Sequence, residues 1–296
     1  MHIVTLRDAH SPVTARFIPD AGMIGISLAD DGVELLGQRR GLDAYISDGK
    51  TMGLPVLHPW ANRLSANNFD AGGTSVQIAP GAAGVRLDPN GLPIHGLLAA
   101  HPDWRIASET PDELIATFDF AAHPELLASF PFPHTLDVTV TLRARTLTVR
   151  AEVTATTDTE VPLCFGFHPY LQLPGTPRAQ WMIETPAMRH LDVDERGIPT
   201  GAVSRQEPSR ELLGDKSFDD GYDEVADGSL FVVSAAGRRI EVRFLEGYPA
   251  AQIFAPAGED LICFEPMAAP TDALIQGTYR TARPGSPAVA QFSISV

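Results

Sequence analysis

The sequence predicts an all-β protein folded as a large antiparallel β-sandwich. Three observations carry this. Apolar residues recur at every second position rather than at helical spacing. Glycine and proline occur 25 times each, so turn signals interrupt the chain at short intervals. No amphipathic helical run exceeds about three turns.

The elements follow in order. Short alternating segments predict strands near 2–7, 13–18, 24–29, 75–79 and 113–120. The segment 123–130, HPELLASF, reads as one short helix. The clearest pattern is 135–156, TLDVTVTLRARTLTVRAEVTAT. Leu136, Val138, Val140 and Leu142 occupy even positions, and Leu147, Val149, Ala151 and Val153 odd ones. A parity switch across 143–146 is what a tight turn between antiparallel strands produces. Further strands are expected near 161–167, 229–234, 239–245, 250–254, 261–265 and 289–296, while 201–217 is polar and carries no clear period. Sandwiches of this kind often exceed 200 residues as one unit, so residues 1–296 are expected to form a single β-sandwich domain. A chain of this length buries about 75% of its unfolded surface and needs no covalent staples.

Composition narrows the function. Lys and Arg total 22 against 37 Asp and Glu, a net charge of −15. Nucleic acid and anionic membranes need a basic face to displace counterions, so neither is an expected partner. Two cysteines cannot build a disulfide framework, and no zinc-type spacing is present, so no metal site is expected. No targeting segment or membrane-length apolar run stands out, which predicts a cytoplasmic protein.

Several residues stand in settings that point to chemistry. Glu265 is a lone carboxylate after the uncharged residues 261–264 and before Pro266. Desolvation there would raise its pKa and suit a general base, although a solvated strand end explains the same pattern. His168, in CFGFHPY, likewise leaves an apolar strand just before a proline. His95 lies in the glycine-flanked loop NGLPIHGLL. Arg63 lies in HPWANRLSANNF, where a planar guanidinium could hold oxygens bidentately. Asp219 and Asp220 read as an acidic turn in KSFDDGYDEV.

GLPVLHPWANRL, GLPIHGLL, FGFHPYLQLPG, FDDGYD, AAQIFAP and CFEPMAAP occur in this order between positions 53 and 275. Together they resemble the aldose 1-epimerase (galactose mutarotase) family. The resemblance implies a galactose-mutarotase-like supersandwich and exchange of the α and β anomers of a free aldohexose, with no cofactor. It implies Glu265 as catalytic base and His168 as catalytic acid. It places His95, Arg63, Asn62 and Gln252 on the sugar, together with Asp219 or, failing that, Asp220. Trp60, Phe167 and Tyr170 are candidate walls for the sugar face. The partner is a monosaccharide, and the protein a monomer or homodimer.

The chemistry requires a base for the C1 hydroxyl and an acid for the ring oxygen. His168 must carry a proton to be that acid, and the neighbouring carboxylates of Glu265 and Asp219 are expected to raise its pKa. Strand alternation predicts that Cys263 shares a face with Glu265, and Cys164 with His168, so both thiols should lie beneath the cleft. Rival readings are a hexose-6-phosphate mutarotase, a non-catalytic sugar-binding sandwich, and a glycoside hydrolase pairing Glu265 with Asp219. The acidic net charge favours a neutral sugar over a phosphorylated one.

Overall fold

Two large antiparallel sheets dominate the computed structural model, which describes residues 1–296. One has nine strands, with the 134–155 hairpin near its middle. The other runs from Pro199–Gln206 through Met188–Val193, Phe218–Asp223, Ala250–Ala255, Ile262–Met267 and Gly166–Phe167 to Val56–Leu57, with Tyr170–Leu171 also paired to Ile262–Met267. A four-stranded sheet formed by the first strands and two small ribbons complete the architecture. No helix is long and apolar enough to cross a membrane.

The hairpin realises the parity switch. His134–Arg143 pairs with Thr146–Ala155, setting Leu136 opposite Val153 and Leu142 opposite Leu147. Its two turn residues, Ala144 and Arg145, both have positive φ, the geometry a two-residue hairpin turn demands. Neither residue favours that region. Arg145 is held there by its backbone N–H bond to Asp8 (2.6 Å) and its side-chain bond to Asp30 (2.7 Å).

The main core is continuous, reaching from Val4 to Ile294. Phe264 of the eight-stranded sheet meets Phe231 of the nine-stranded sheet at 5.4 Å between ring centres, and Phe167 meets Phe292 at 5.2 Å. These contacts fix which face of the eight-stranded sheet looks inward. The residues that follow, Glu265 and His168, therefore point to the outer face.

Four expectations need correction. Asp219 and Asp220 lie on a strand, Phe218–Asp223, paired with Ala250–Ala255, and not in a turn. The expected strand at 161–167 is two pieces: Val161–Leu163 pairs with Arg280–Ala282, and Gly166–Phe167 pairs with Val56–Leu57 and Ile262–Met267. The change of partner resets the alternation, so Cys164 joins the large core and not a layer beneath the cleft. Trp60 and Phe167 also belong to that core and wall nothing. The polar region 201–217 holds most of Pro199–Gln206 and all of Ser209–Leu212, edge strands whose mostly exposed side chains show no apolar period.

Candidate active site

The outer face of the eight-stranded sheet carries a cleft of about 140 Å³. That is smaller than the roughly 300–1,000 Å³ of drug-sized pockets and suits a single sugar ring. Across three neighbouring strands, Glu265 stands opposite Gln252, and Gln252 opposite Gly221. A Cβ at Gly221 would lie 3.3 Å from Gln252 Oε1, so the missing side chain gives the amide room. Gln252 Nε2 donates to Asp219 Oδ1 at 2.8 Å. Asp219 lines the cleft, whereas Asp220 bonds His190 Nε2 at 3.1 Å instead.

His168 enters from the end of Gly166–Phe167. Its Nε2 lies 3.2 Å from Glu265 Oε1 and 3.1 Å from the Tyr170 hydroxyl. The Tyr170 ring stacks on the imidazole at 4.2 Å and 7°, and its hydroxyl meets Thr51 Oγ1 at 2.6 Å. Tyr170 is thus the one expected aromatic wall that lines the cleft.

Asn62, Arg63 and His95 come from two loops pinned to each other. His95 N–H donates to the Asn62 carbonyl at 2.9 Å, and Arg63 bridges Ile94. Asn62 (φ 55°) and His95 (φ 60°) both adopt the left-handed region, a strain that costs about 1–3 kcal/mol each and gathers at functional sites. Arg63 is oriented from three sides. Its Nε lies 3.3 Å from the buried Asp88 carboxylate, one terminal nitrogen 3.2 Å from Asn62 Oδ1, and the other 3.4 Å from Asp219 Oδ2.

The electrostatics depart from expectation. Burial pushes Glu265 well above the usual carboxylate range, and Asp219 adds to the push. His168 was expected to be raised by its carboxylate neighbours. Instead burial drives it well below the ordinary imidazole value, with His95 and Arg39 adding to the effect. Its Nδ1 is buried with no hydrogen-bond partner, which further disfavours an imidazolium. The pair therefore favours its neutral forms. Burial also pushes His95 down to about 3, with Arg63 contributing, so it meets a ligand as a neutral imidazole.

Glu265, His168, His95, Arg63, Asn62, Gln252 and Asp219 all line this one cleft, whereas Asp220, Trp60 and Phe167 do not. Arg39, Thr51, Ile94 and Phe254 also line it and were missed. Arg39 pairs bidentately with Glu259 at 2.8 and 2.7 Å, and its guanidinium sits 5.4 Å from the Tyr170 ring centre and 5.5 Å from that of Phe254. Nothing local in QRRG distinguishes it. Cys263 lies on the cleft side, packed with Tyr170 and Leu261, as alternation from Glu265 requires.

The family model described as aldose 1-epimerase matches residues 18–290. The chain belongs to the aldose 1-epimerase family. No curated protein sequence matches it. Among solved structures, the fold of this epimerase-family protein is similar to that of a galactose mutarotase-related enzyme from Lactobacillus acidophilus, with a TM-score of 0.80 and 17% identity over 99% of this chain and 97% of the other. It is similar to an aldose epimerase homologue from C. elegans, with a TM-score of 0.80 and 18% identity over 99% and 98%. It is also similar to a protein from Synechocystis, with a TM-score of 0.80 and 21% identity over 99% and 95%. At these identities the likeness speaks to the fold alone, which is the mutarotase-like sandwich.

Proposed function

We propose that the cleft interconverts the α and β anomers of an aldohexose such as glucose or galactose, with Glu265 as base and His168 as acid. The observation that carries this reading is the 3.2 Å approach of Glu265 Oε1 to His168 Nε2 on the wall of a sugar-sized cleft. The pair holds one exchangeable proton. In one form it is Glu265 carboxylate with His168 imidazolium; in the other both groups are neutral.

These two forms are the two ends of ring opening. The Glu265 carboxylate takes the proton of the C1 hydroxyl. The electron pair left on that oxygen forms the aldehyde as the bond from C1 to the ring oxygen breaks. The ring oxygen takes its proton from His168. The open-chain sugar then faces the neutral pair, which is the form that burial favours. Rotation about C1–C2 exposes the other face of the aldehyde, and closure runs the same transfers backwards. The chain emerges with its pair restored and no group consumed.

Arg63 and the neutral His95 would hold sugar oxygens, with Gln252, Asp219 and Asn62 fixing the geometry. Binding alone would not need Glu265 and His168 in proton contact, which favours the enzyme over a sugar-binding sandwich. Polarimetry on fresh α-D-glucose and α-D-galactose tests the reading: faster relaxation of optical rotation supports it, and an uncatalysed rate on both sugars counts against it.

A further inference from the structure

His101 and His123 are distant in the sequence and adjacent in the fold, with ring centres 4.8 Å apart and planes at 76°. His101 ends a turn: its N–H donates to the Leu98 carbonyl, and its own carbonyl accepts from the Gly22 N–H. His123 joins the single turn Phe120–Ala122 to the short helix Pro124–Leu127. Both rings rest on the buried Phe118, His101 edge-on at 4.8 Å and His123 stacked at 4.9 Å. Core packing thus fixes the planes of two imidazoles at a half-exposed spot.

Glu125 completes a set of three. One ligand atom from each of His101, His123 and Glu125 lies within 4.8 Å of the other two. Glu125 Oε1 is 3.0 Å from His123 Nδ1, and Asp103 Oδ2 is 3.9 Å from His123 Nε2. Ligands of a tetrahedral zinc-type ion stand about 3.4 Å apart, so closing the site needs a movement of about 1 Å, which the exposed Glu125 side chain can supply.

The existing bonds leave these groups available. His123 occupies the N-cap of its helix, yet its side chain makes no capping bond. No side chain hydrogen-bonds His101, whose Nδ1 has only a long contact of 3.4 Å with the Asp103 N–H. Neither Asp103 nor Glu125 pairs with an arginine or lysine; the one ionic partner of each is His123. Two carboxylates around two neutral imidazoles carry the charge that a divalent cation balances.

We propose that His101, His123 and Glu125 bind one divalent cation of the zinc class, which clips the loop before Arg105–Glu109 to the turn leading into Pro124–Leu127. His123 ligates through Nδ1, the nitrogen that faces Glu125. Its Nε2–H then points to Asp103, the outer carboxylate that holds the ring. Two imidazoles and one carboxylate suit zinc, nickel or copper, whereas magnesium and calcium prefer oxygen alone. The expectation of no metal site came from spacing along the chain, and only the fold brings these ligands together. None of them lines the sugar cleft, so the inference stands apart from the mutarotase reading.

Calorimetric titration of the chelator-treated protein with zinc and with magnesium tests it. One zinc should bind with a Kd of roughly 1 μM or tighter, and magnesium at least about a hundredfold more weakly. Excess zinc should raise the melting temperature by a few degrees, as binding to the folded state alone requires. Cobalt in place of zinc should give the visible absorption of a four-coordinate ion. His101→Gln and Glu125→Gln should each weaken zinc binding about tenfold or more. His190→Gln should change nothing, although His190 also lies beside two carboxylates, Asp192 and Asp220. Glu125 is exposed, so its substitution keeps the test sound even where the loss of His101 disturbs packing on Phe118. A Kd weaker than about 100 μM overturns the proposal. So does zinc affinity that is unchanged in Glu125→Gln, or several weak equivalents that fall with His190→Gln instead.

Discussion

His168 Nε2 faces two partners at once, Glu265 Oε1 at 3.2 Å and the Tyr170 hydroxyl at 3.1 Å. In the proposed reaction Glu265 shares a proton with the imidazole. Tyr170 stacks on it, and its hydroxyl has a second hydrogen-bond partner in Thr51 Oγ1. The position of the imidazole is therefore set by the stacked ring and hydroxyl of Tyr170.

Tyr170→Phe keeps the stacked ring and removes the hydroxyl. Exchange should fall about tenfold through kcat, with KM changed little, because one neutral hydrogen bond to the acid is lost while the sugar contacts remain. Tyr170→Ala should cost more, since the ring that sets the imidazole plane is gone. Initial polarimetric rates over a range of sugar concentrations separate kcat from KM. A change confined to KM would place Tyr170 among the sugar contacts instead.

Arg63 has a structural duty beside its proposed contact with sugar. Asp88 has a fully buried side chain, and Arg63 Nε is its only cationic partner. Arg63→Ala should destabilise the protein by about 3 kcal/mol by leaving that carboxylate unpaired. Arg63→Ala with Asp88→Asn should recover much of the loss in urea unfolding, but not the affinity for sugar. Additive losses in the double variant would contradict the coupling.

Away from the cleft, His58 and His134 are buried and joined Nε2 to Nε2 at 2.7 Å, and His134 Nδ1 lies 2.6 Å from the Phe132 carbonyl. The second contact makes His134 Nδ1 the donor, so its Nε2 accepts from His58 and the pair is neutral. Burial pushes His134 from 6.5 to about 4, and His58 well below its ordinary value. A base whose folded pKa is depressed lends stability above its unfolded pKa, and that stability is lost as pH falls through the folded value. The His134 shift alone predicts a loss of about 3 kcal/mol between pH 6.5 and 4. Urea unfolding at several pH values should show the fall, and His134→Phe should flatten it. An equally steep profile in that variant would assign the fall to other groups.

Much of the site was legible because strand alternation is a local property. Phe264 and Glu265 had to face opposite ways, and so did Phe167 and His168. The same rule should have removed Phe167 from the candidate walls. Cys164 escaped it because the strand changes partners between Leu163 and Gly166, a pairing set by segments more than a hundred residues away. Asp-Asp-Gly reads locally as a turn, and pairing with Ala250–Ala255 on one side and Met188–Val193 on the other makes it part of a strand. Arg39, Thr51 and Asp88 carry no local signal, since the fold alone brings them to Tyr170 and Arg63. The edge strands after Met182 were obscured by exposure, which removes the apolar half of the pattern.

The central claim is that Glu265 and His168 act as one proton-exchanging unit. A double-mutant cycle on anomer exchange tests it most directly, using Glu265→Gln, His168→Asn and the two combined, with sugar binding measured in each. Each single substitution should slow exchange about a hundredfold or more while sugar still binds, and the double variant should be little slower than either single one. Losses that multiply in the double variant, or near wild-type exchange in Glu265→Gln, would contradict the account.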